Sequence, residues 1–96
     1  MLIGFEELEA LVTIMEEGSF RKASEKLHRA QSSISYAIKV LEKELGLEIF
    51  DRSTYKPKLT KAGEAVYKHA KNLINAKSEL FDIAQLVNSG VETELN

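Results

Sequence analysis

The sequence predicts a mainly α-helical fold: three short helices, a two-stranded wing and then one long helix. Two observations carry this. Apolar residues recur at three- and four-residue spacings along most of the chain, the rhythm of a one-sided helix. One proline and five glycines in 96 residues leave few places to break a helix, which disfavours a turn-rich β architecture. With 44% hydrophobic and 29% charged residues, this is an ordinary globular composition, long enough for one domain with one core.

The first helix is predicted over residues 5–17, with Phe5, Leu8, Leu11, Val12 and Met15 on its inner stripe. Its outer face is acidic: Glu6, Glu7, Glu9, Glu16 and Glu17. Gly18 stops it and Ser19 is placed to cap the next helix. That second helix carries Phe20, Ala23 and Leu27. A third begins at Gln31 and carries Ile34, Ile38, Leu41 and Leu45, spaced by four, three and four. Only His28, Arg29 and Ala30 separate the two. So short a connection makes the helices cross instead of running back as a hairpin, which is the helix-turn-helix arrangement. His28 falls where the turn needs left-handed backbone, and histidine is one of the non-glycine types enriched there. Ala30 cannot cap the third helix, so Ser32 or Ser33 is expected to do so.

After Gly46, residues 47–50 and 59–60 are expected to pair as two short strands around a basic loop containing Pro57. Leu47, Ile49 or Phe50, and Leu59 would close the core against the first helix. Thr60 then caps a helix expected to run to about Ser89, with Gly90 as its stop. Thirty residues span about 45 Å, far more than the head can cover. Its stripe is Val66, Ala70, Leu73, Leu80, Ala84 and Val87, widened by Tyr67, Ile74, Phe81 and Ile83 and interrupted by Lys77. A stripe this long needs a partner, and the same helix of a second chain would provide one.

Charge and composition narrow the function classes. The absence of cysteine excludes disulfides and thiolate metal sites. No apolar run approaches membrane-spanning length and no basic-then-apolar leader precedes the first helix, so a cytoplasmic protein is the default expectation. The histidines, His28 and His69, lie far apart, no glycine-rich phosphate loop is present, and no nucleophile–base spacing appears. No enzyme, metal or cofactor is expected.

The net charge of −2 is unevenly spread. Residues 1–17 carry five acids and no base, whereas 18–40 and 53–72 each carry five bases and one acid. Such segregation allows local attraction to phosphates in an acidic protein. The outward face of the third helix, with Ser32, Ser35, Tyr36 and Lys39, is polar and weakly basic, as a helix laid in a DNA groove must be.

The ordered motifs resemble the N-terminal domain of LysR-type transcriptional regulators. Gly18-Ser19-Phe20 precedes the second helix, with Ala23 and Leu27 inside it. Gln31-Ser32-Ser33-Ile34-Ser35 opens the third, and Leu41-Glu42 with Leu45-Gly46 closes it. Phe50-Asp51-Arg52 enters the wing and Leu59-Thr60-Lys61-Ala62-Gly63 leaves it. The resemblance covers about residues 5–89. It implies a winged helix-turn-helix domain over residues 1–59, a linker helix for dimerisation over 60–89, and a truncated hinge over 90–96. It also implies a homodimer, often assembling to a tetramer, on a partly palindromic promoter site. An effector domain, absent here, would follow the hinge. By the same resemblance Gln31, Ser35 and Arg52 contact DNA. The sequence departs from the family at Tyr36 and Ala37, where longer polar side chains are common.

Each residue type suits its expected role. The Gln31 amide offers a donor and an acceptor to a base edge. Ser32, Ser33 and Ser35 are short donors for phosphates. Tyr36 suits a thymine methyl or a phosphate. Arg21, Arg29 and Lys39 neutralise phosphates from the helices, and Arg52, Lys56 and Lys58 from the wing. The expected dimer seam comprises Val66, Ala70, Leu73, Lys77, Leu80, Phe81, Ala84 and Val87. Two rivals use the same fold: a module that docks a protein on the acidic first helix, and a winged-helix repressor of another family. The uninterrupted long helix after Leu59 argues against the second.

Overall fold

The computed structural model describes residues 3–90. Four helices follow in order: α1 (Phe5–Glu17), α2 (Phe20–Leu27), α3 (Gln31–Leu45) and α4 (Lys61–Asn88). The expected hinge beyond Gly90 lies outside the described residues.

The helix boundaries follow the capping chemistry. The Glu7 carboxylate reaches back to accept from the Gly4 N–H at 2.6 Å, opening α1 with a charge at the positive end of its dipole. Gly18, at φ 91°, closes α1 by donating its N–H to the Ile14 carbonyl at 2.8 Å. Ser19 Oγ then caps α2 through the Lys22 N–H at 3.0 Å. His28 takes the left-handed backbone expected of it, at φ 54° and ψ 44°.

Core packing turns on α1, which touches all three other helices. That explains why its buried face is broader than a single stripe. Ala10, Leu11, Val12, Thr13 and Ile14 are all buried, whereas Phe5 is exposed and Leu8 and Met15 are half-buried. From α3, Ile34, Ala37, Ile38 and Leu41 complete the core, and Ala23 comes from α2. Leu45, expected in this set, lies at the exposed end of α3. Phe20 and Phe50 pack with ring centroids 5.4 Å apart in a tilted arrangement.

The two-stranded wing is not formed. Among the described residues the segment contains one antiparallel bridge, Phe50 with Leu59, and no strand. Asp51 N–H donates to the Lys58 carbonyl and Thr60 N–H to the Ile49 carbonyl, at 2.8 and 2.9 Å. The ladder stops there because its groups are engaged elsewhere. The Ile49 N–H goes to the Glu42 carboxylate. In the loop, Asp51 accepts from both the N–H and the hydroxyl of Ser53, and Thr54 Oγ1 donates toward the Asp51 and Lys56 carbonyls. Pro57 has no N–H to contribute. Freed from strand alternation, Ile49 and Phe50 are both buried.

The long helix starts with tight packing. Thr60 Oγ1 caps it through the Gly63 N–H at 2.9 Å and donates to the Glu48 carbonyl at 2.6 Å. Gly63 is buried where an added Cβ would collide with the Ile49 carbonyl. Ala70 is buried, and Val66, Tyr67 and Ile74 pack half-buried on the same core. Beyond Ile74 every described residue of α4 is exposed. Two expected seam residues, Val66 and Ala70, are therefore engaged with their own head. A third, Lys77, lays its ammonium 4.8 Å from the Phe5 ring centroid of α1, which accounts for a cation interrupting the stripe.

Candidate nucleic-acid interface

The short turn between α2 and α3 projects the first residues of α3 outward. Gln31, Ser32, Tyr36 and Lys39 are exposed, and Ser33 and Ser35 are half-exposed. Ser32, Ser35, Tyr36 and Lys39 share one helix face by their three- and four-residue spacing. Ala37, one of the two departures from the family, is 2% exposed and belongs to the core. A long polar side chain there would face the interior, not a base.

No side chain caps α3. Ala30 has the extended backbone of an N-cap residue, at φ −63° and ψ 146°, but nothing to accept with. The expected hydroxyl cap from Ser32 or Ser33 does not form. The Ser33 and Ile34 N–H groups donate to the Ala30 carbonyl at 3.0 and 3.2 Å. Among the described residues no acceptor meets the Gln31 or Ser32 N–H. An exposed helix start with open donors is ready for an anion.

The wing root is fixed by a residue that the sequence reading named only as part of a motif. Glu42 accepts from the Ile49 N–H at 2.9 Å and more weakly from the Phe50 N–H at 3.4 Å. Its other oxygen pairs with Arg52 Nη2 at 2.7 Å. Glu42 is the sheltered partner, its side chain 15% exposed against 56% for Arg52. One carboxylate thus ties α3 to the loop and aims its first cation. Local periodicity carries no signal for contacts seven and ten residues away.

Other basic residues differ in readiness. Arg21 forms an exposed ion pair with Glu25, one turn along α2, at 3.0 Å. A pair so exposed is worth at most about 1 kcal/mol and yields readily to a phosphate. Arg29 is half-buried with Nη1 enclosed and without a partner, so it departs from the simple surface cation expected. Lys56 and Lys58 are exposed on the loop. Asp51 is held below its ordinary carboxylate range by the Ser53 hydroxyl and then the Ser53 N–H, opposed by burial, with Lys58 adding the least.

Arg21, Lys22, Gln31, Arg52, Tyr55 and Lys56 line one open groove of about 970 Å³ between the start of α2, the start of α3 and the loop. Glu17 and Asp51 also reach it. Among the described residues no cluster of metal-ligating side chains occurs, and no helix is long and apolar enough to cross a membrane.

This arrangement defines a helix-turn-helix DNA-binding domain. Residues 5–64 match the family described as bacterial regulatory helix-turn-helix protein, lysR family, and the chain belongs to that family. It is 37% identical over 91 residues to the HTH-type transcriptional activator AllS of Salmonella paratyphi A, covering 95% of this chain and 30% of AllS. A probable RuBisCO transcriptional regulator of Cyanidioschyzon merolae is 39% identical over 69 residues, covering 72% of this chain and 23% of that protein. Among solved structures, the DNA-binding domain of BenM in complex with catB site 1 DNA superposes with a TM-score of 0.87 at 31% identity, covering 95% of this chain and 98% of that one. Full-length OxyR of Pseudomonas aeruginosa gives 0.79 at 34% identity, covering 85% of this chain and 28% of that one. The chain thus spans about 30% of the length of the AllS relatives it matches.

Proposed function

We propose that this chain is the DNA-reading part of a transcription regulator and binds a partly palindromic promoter site as a homodimer. The observation that carries the reading is the meeting of Gln31 with Arg21, Lys22, Arg52 and Lys56 around one open groove. A base-reading amide stands at the edge of a cationic track for the backbone. Gln31 reads a base edge in the major groove, while Ser32, Ser33 and Ser35 with the open N–H groups of α3 hold phosphates. Tyr36 lies against the groove wall, and Lys39, Arg52, Lys56 and Lys58 supply neutralising charge. Arg29 joins them by turning its unpartnered guanidinium outward. A protein with this task works beside the chromosome, which puts it in the cytoplasm.

The second half of α4 supports the dimer. Leu73, Leu80, Phe81 and Val87 are 50, 68, 62 and 49% exposed, with Ala84 among them. An apolar row of that length is costly in water, and a second copy of the helix can cover it. Two heads joined this way read two half-sites, so weak readings multiply.

Selection of duplexes from a random pool, followed by titration at rising salt, tests the reading. Affinity is expected to fall steeply between low and physiological salt. Gln31→Ala should weaken the selected site by about 1–3 kcal/mol while leaving random DNA little changed, whereas Lys58→Ala should weaken both alike. Equal losses on both duplexes would remove Gln31 from base readout. Salt-insensitive binding to a protein partner through α1 would favour the docking-module alternative.

A further inference from the structure

We infer that Glu42, near the end of α3, is a positioning residue that sets how well the domain tells its site from other DNA, acting through Arg52. The inference rests on the DNA-binding reading above and deepens it, because it assigns discrimination to a residue that reading leaves out. A carboxylate beside a DNA-contacting cation opposes binding on charge alone, since phosphates are repelled by it. Its bonds give it a different use.

Those bonds run to both parts of the wing root. One Glu42 oxygen accepts from the Ile49 N–H at 2.9 Å and from the Phe50 N–H at 3.4 Å, and the other accepts from Arg52 Nη2 at 2.7 Å. The carboxylate is sheltered while the guanidinium stays open to a ligand. A guanidinium has donors to spare beyond the one this pair takes. The loop alone would hold Arg52 poorly: its β pairing among the described residues is the single Phe50–Leu59 bridge. Through Glu42 the guanidinium is fixed to α3 instead.

The same helix carries Gln31, and Gln31 and Arg52 line one groove. The base-reading amide and the wing cation are therefore mounted on one rigid element, one directly and one through a carboxylate. A donor held this way cannot swing to follow a misplaced strand. It meets its acceptor only when α3 is seated as Gln31 requires, so the fixed geometry rewards the matching site. The carboxylate also offsets the guanidinium charge, which weakens the pull of Arg52 on phosphates of any sequence. Both effects lower affinity for DNA in general more than affinity for the site. Lys56 and Lys58, exposed on the same loop, carry the sequence-independent attraction.

The test titrates the 96-residue chain with a duplex selected from a random pool and with an unselected duplex, across a salt series. Glu42→Gln keeps the side-chain length and an oxygen for the Ile49 N–H but removes the charge that holds Arg52. The selected duplex should bind about fivefold more weakly, the size of one net hydrogen bond, and the unselected duplex no more weakly than before. On the unselected duplex the plot of log affinity against log salt should steepen by about one, as the freed cation takes up a phosphate. In an Arg52→Gln background the same change should lower the preference no further, since Glu42 then has no cation to hold. Arg52→Lys leaves the Ile49 and Phe50 bonds in place and keeps the charge without the planar fork. It should cost about threefold in preference, and it decides alone if Glu42→Gln fails to fold. Equal losses on both duplexes with an unchanged salt slope would make Glu42 a structural brace and overturn the inference. A Glu42→Gln effect that persists without Arg52, or an Arg52→Lys chain with full preference, overturns it too. In each case the DNA-binding reading stands if Gln31→Ala still lowers the preference. If the parent chain shows no salt-sensitive binding to any duplex, both fall.

Discussion

The starts of α3 and α4 are built oppositely from the same backbone need. Each helix begins with N–H groups that lack an intrahelical acceptor. At α4 the chain answers with Thr60, whose hydroxyl caps Gly63 and grips the Glu48 carbonyl, and the first turn is pressed onto Ile49. At α3 it answers with Ala30, which offers no cap, and leaves Gln31 and Ser32 in solvent. One start is closed and belongs to the fold. The other is open, and the stability it forgoes is what a ligand with acceptors can supply. An uncapped helix is a defect in a pure stability account and an asset at an anion-binding edge.

The closed start should be the more fragile to change. Gly63→Ala puts a methyl group into the Ile49 carbonyl, and backbone has little room to yield. The overpacking cost exceeds the gain of about 1 kcal/mol from better helix propensity, for a net loss of about 2 kcal/mol. Thermal unfolding should register this as a drop of about 10 °C. An unchanged midpoint would mean that α4 docks less tightly than described. Thr60→Ala comes next, at about 1–2 kcal/mol, since it removes the cap together with the bond to Glu48. In both cases the loss should appear in the unfolding midpoint before it appears in DNA affinity per folded molecule.

Legibility from sequence divides along the same line. The four helices, the Ser19 and Thr60 caps and the left-handed His28 were readable because spacing and capping chemistry are local. The exposed face of Ser32, Ser35, Tyr36 and Lys39 was readable for the same reason. Errors arose where a neighbour from elsewhere in the chain decided the outcome. The strands of the wing gave way to side-chain bonds from Glu42, Asp51 and Thr54. Val66 and Ala70 fit a dimer stripe by period, yet they also pack on the core of their own head. The period of a helix says which residues share a face and not what will cover it.

The open start offers the sharpest test, because one substitution should move stability and binding in opposite directions. Ala30→Ser places a hydroxyl on a residue that already has N-cap backbone, so it can accept from the free N–H of Ser32 without rearrangement. Stability should rise by about 0.5–1 kcal/mol, seen as a small upward shift in the unfolding midpoint. If the α3 start holds a phosphate, that same hydroxyl occupies a donor the phosphate needs, and affinity for every duplex should fall by a few-fold. The fall should be equal on selected and random DNA, since phosphates carry no sequence. A stabilised variant that binds as tightly as the parent would mean the open N–H groups are idle. Gln31 and the basic loop would then hold the DNA without help from the helix backbone.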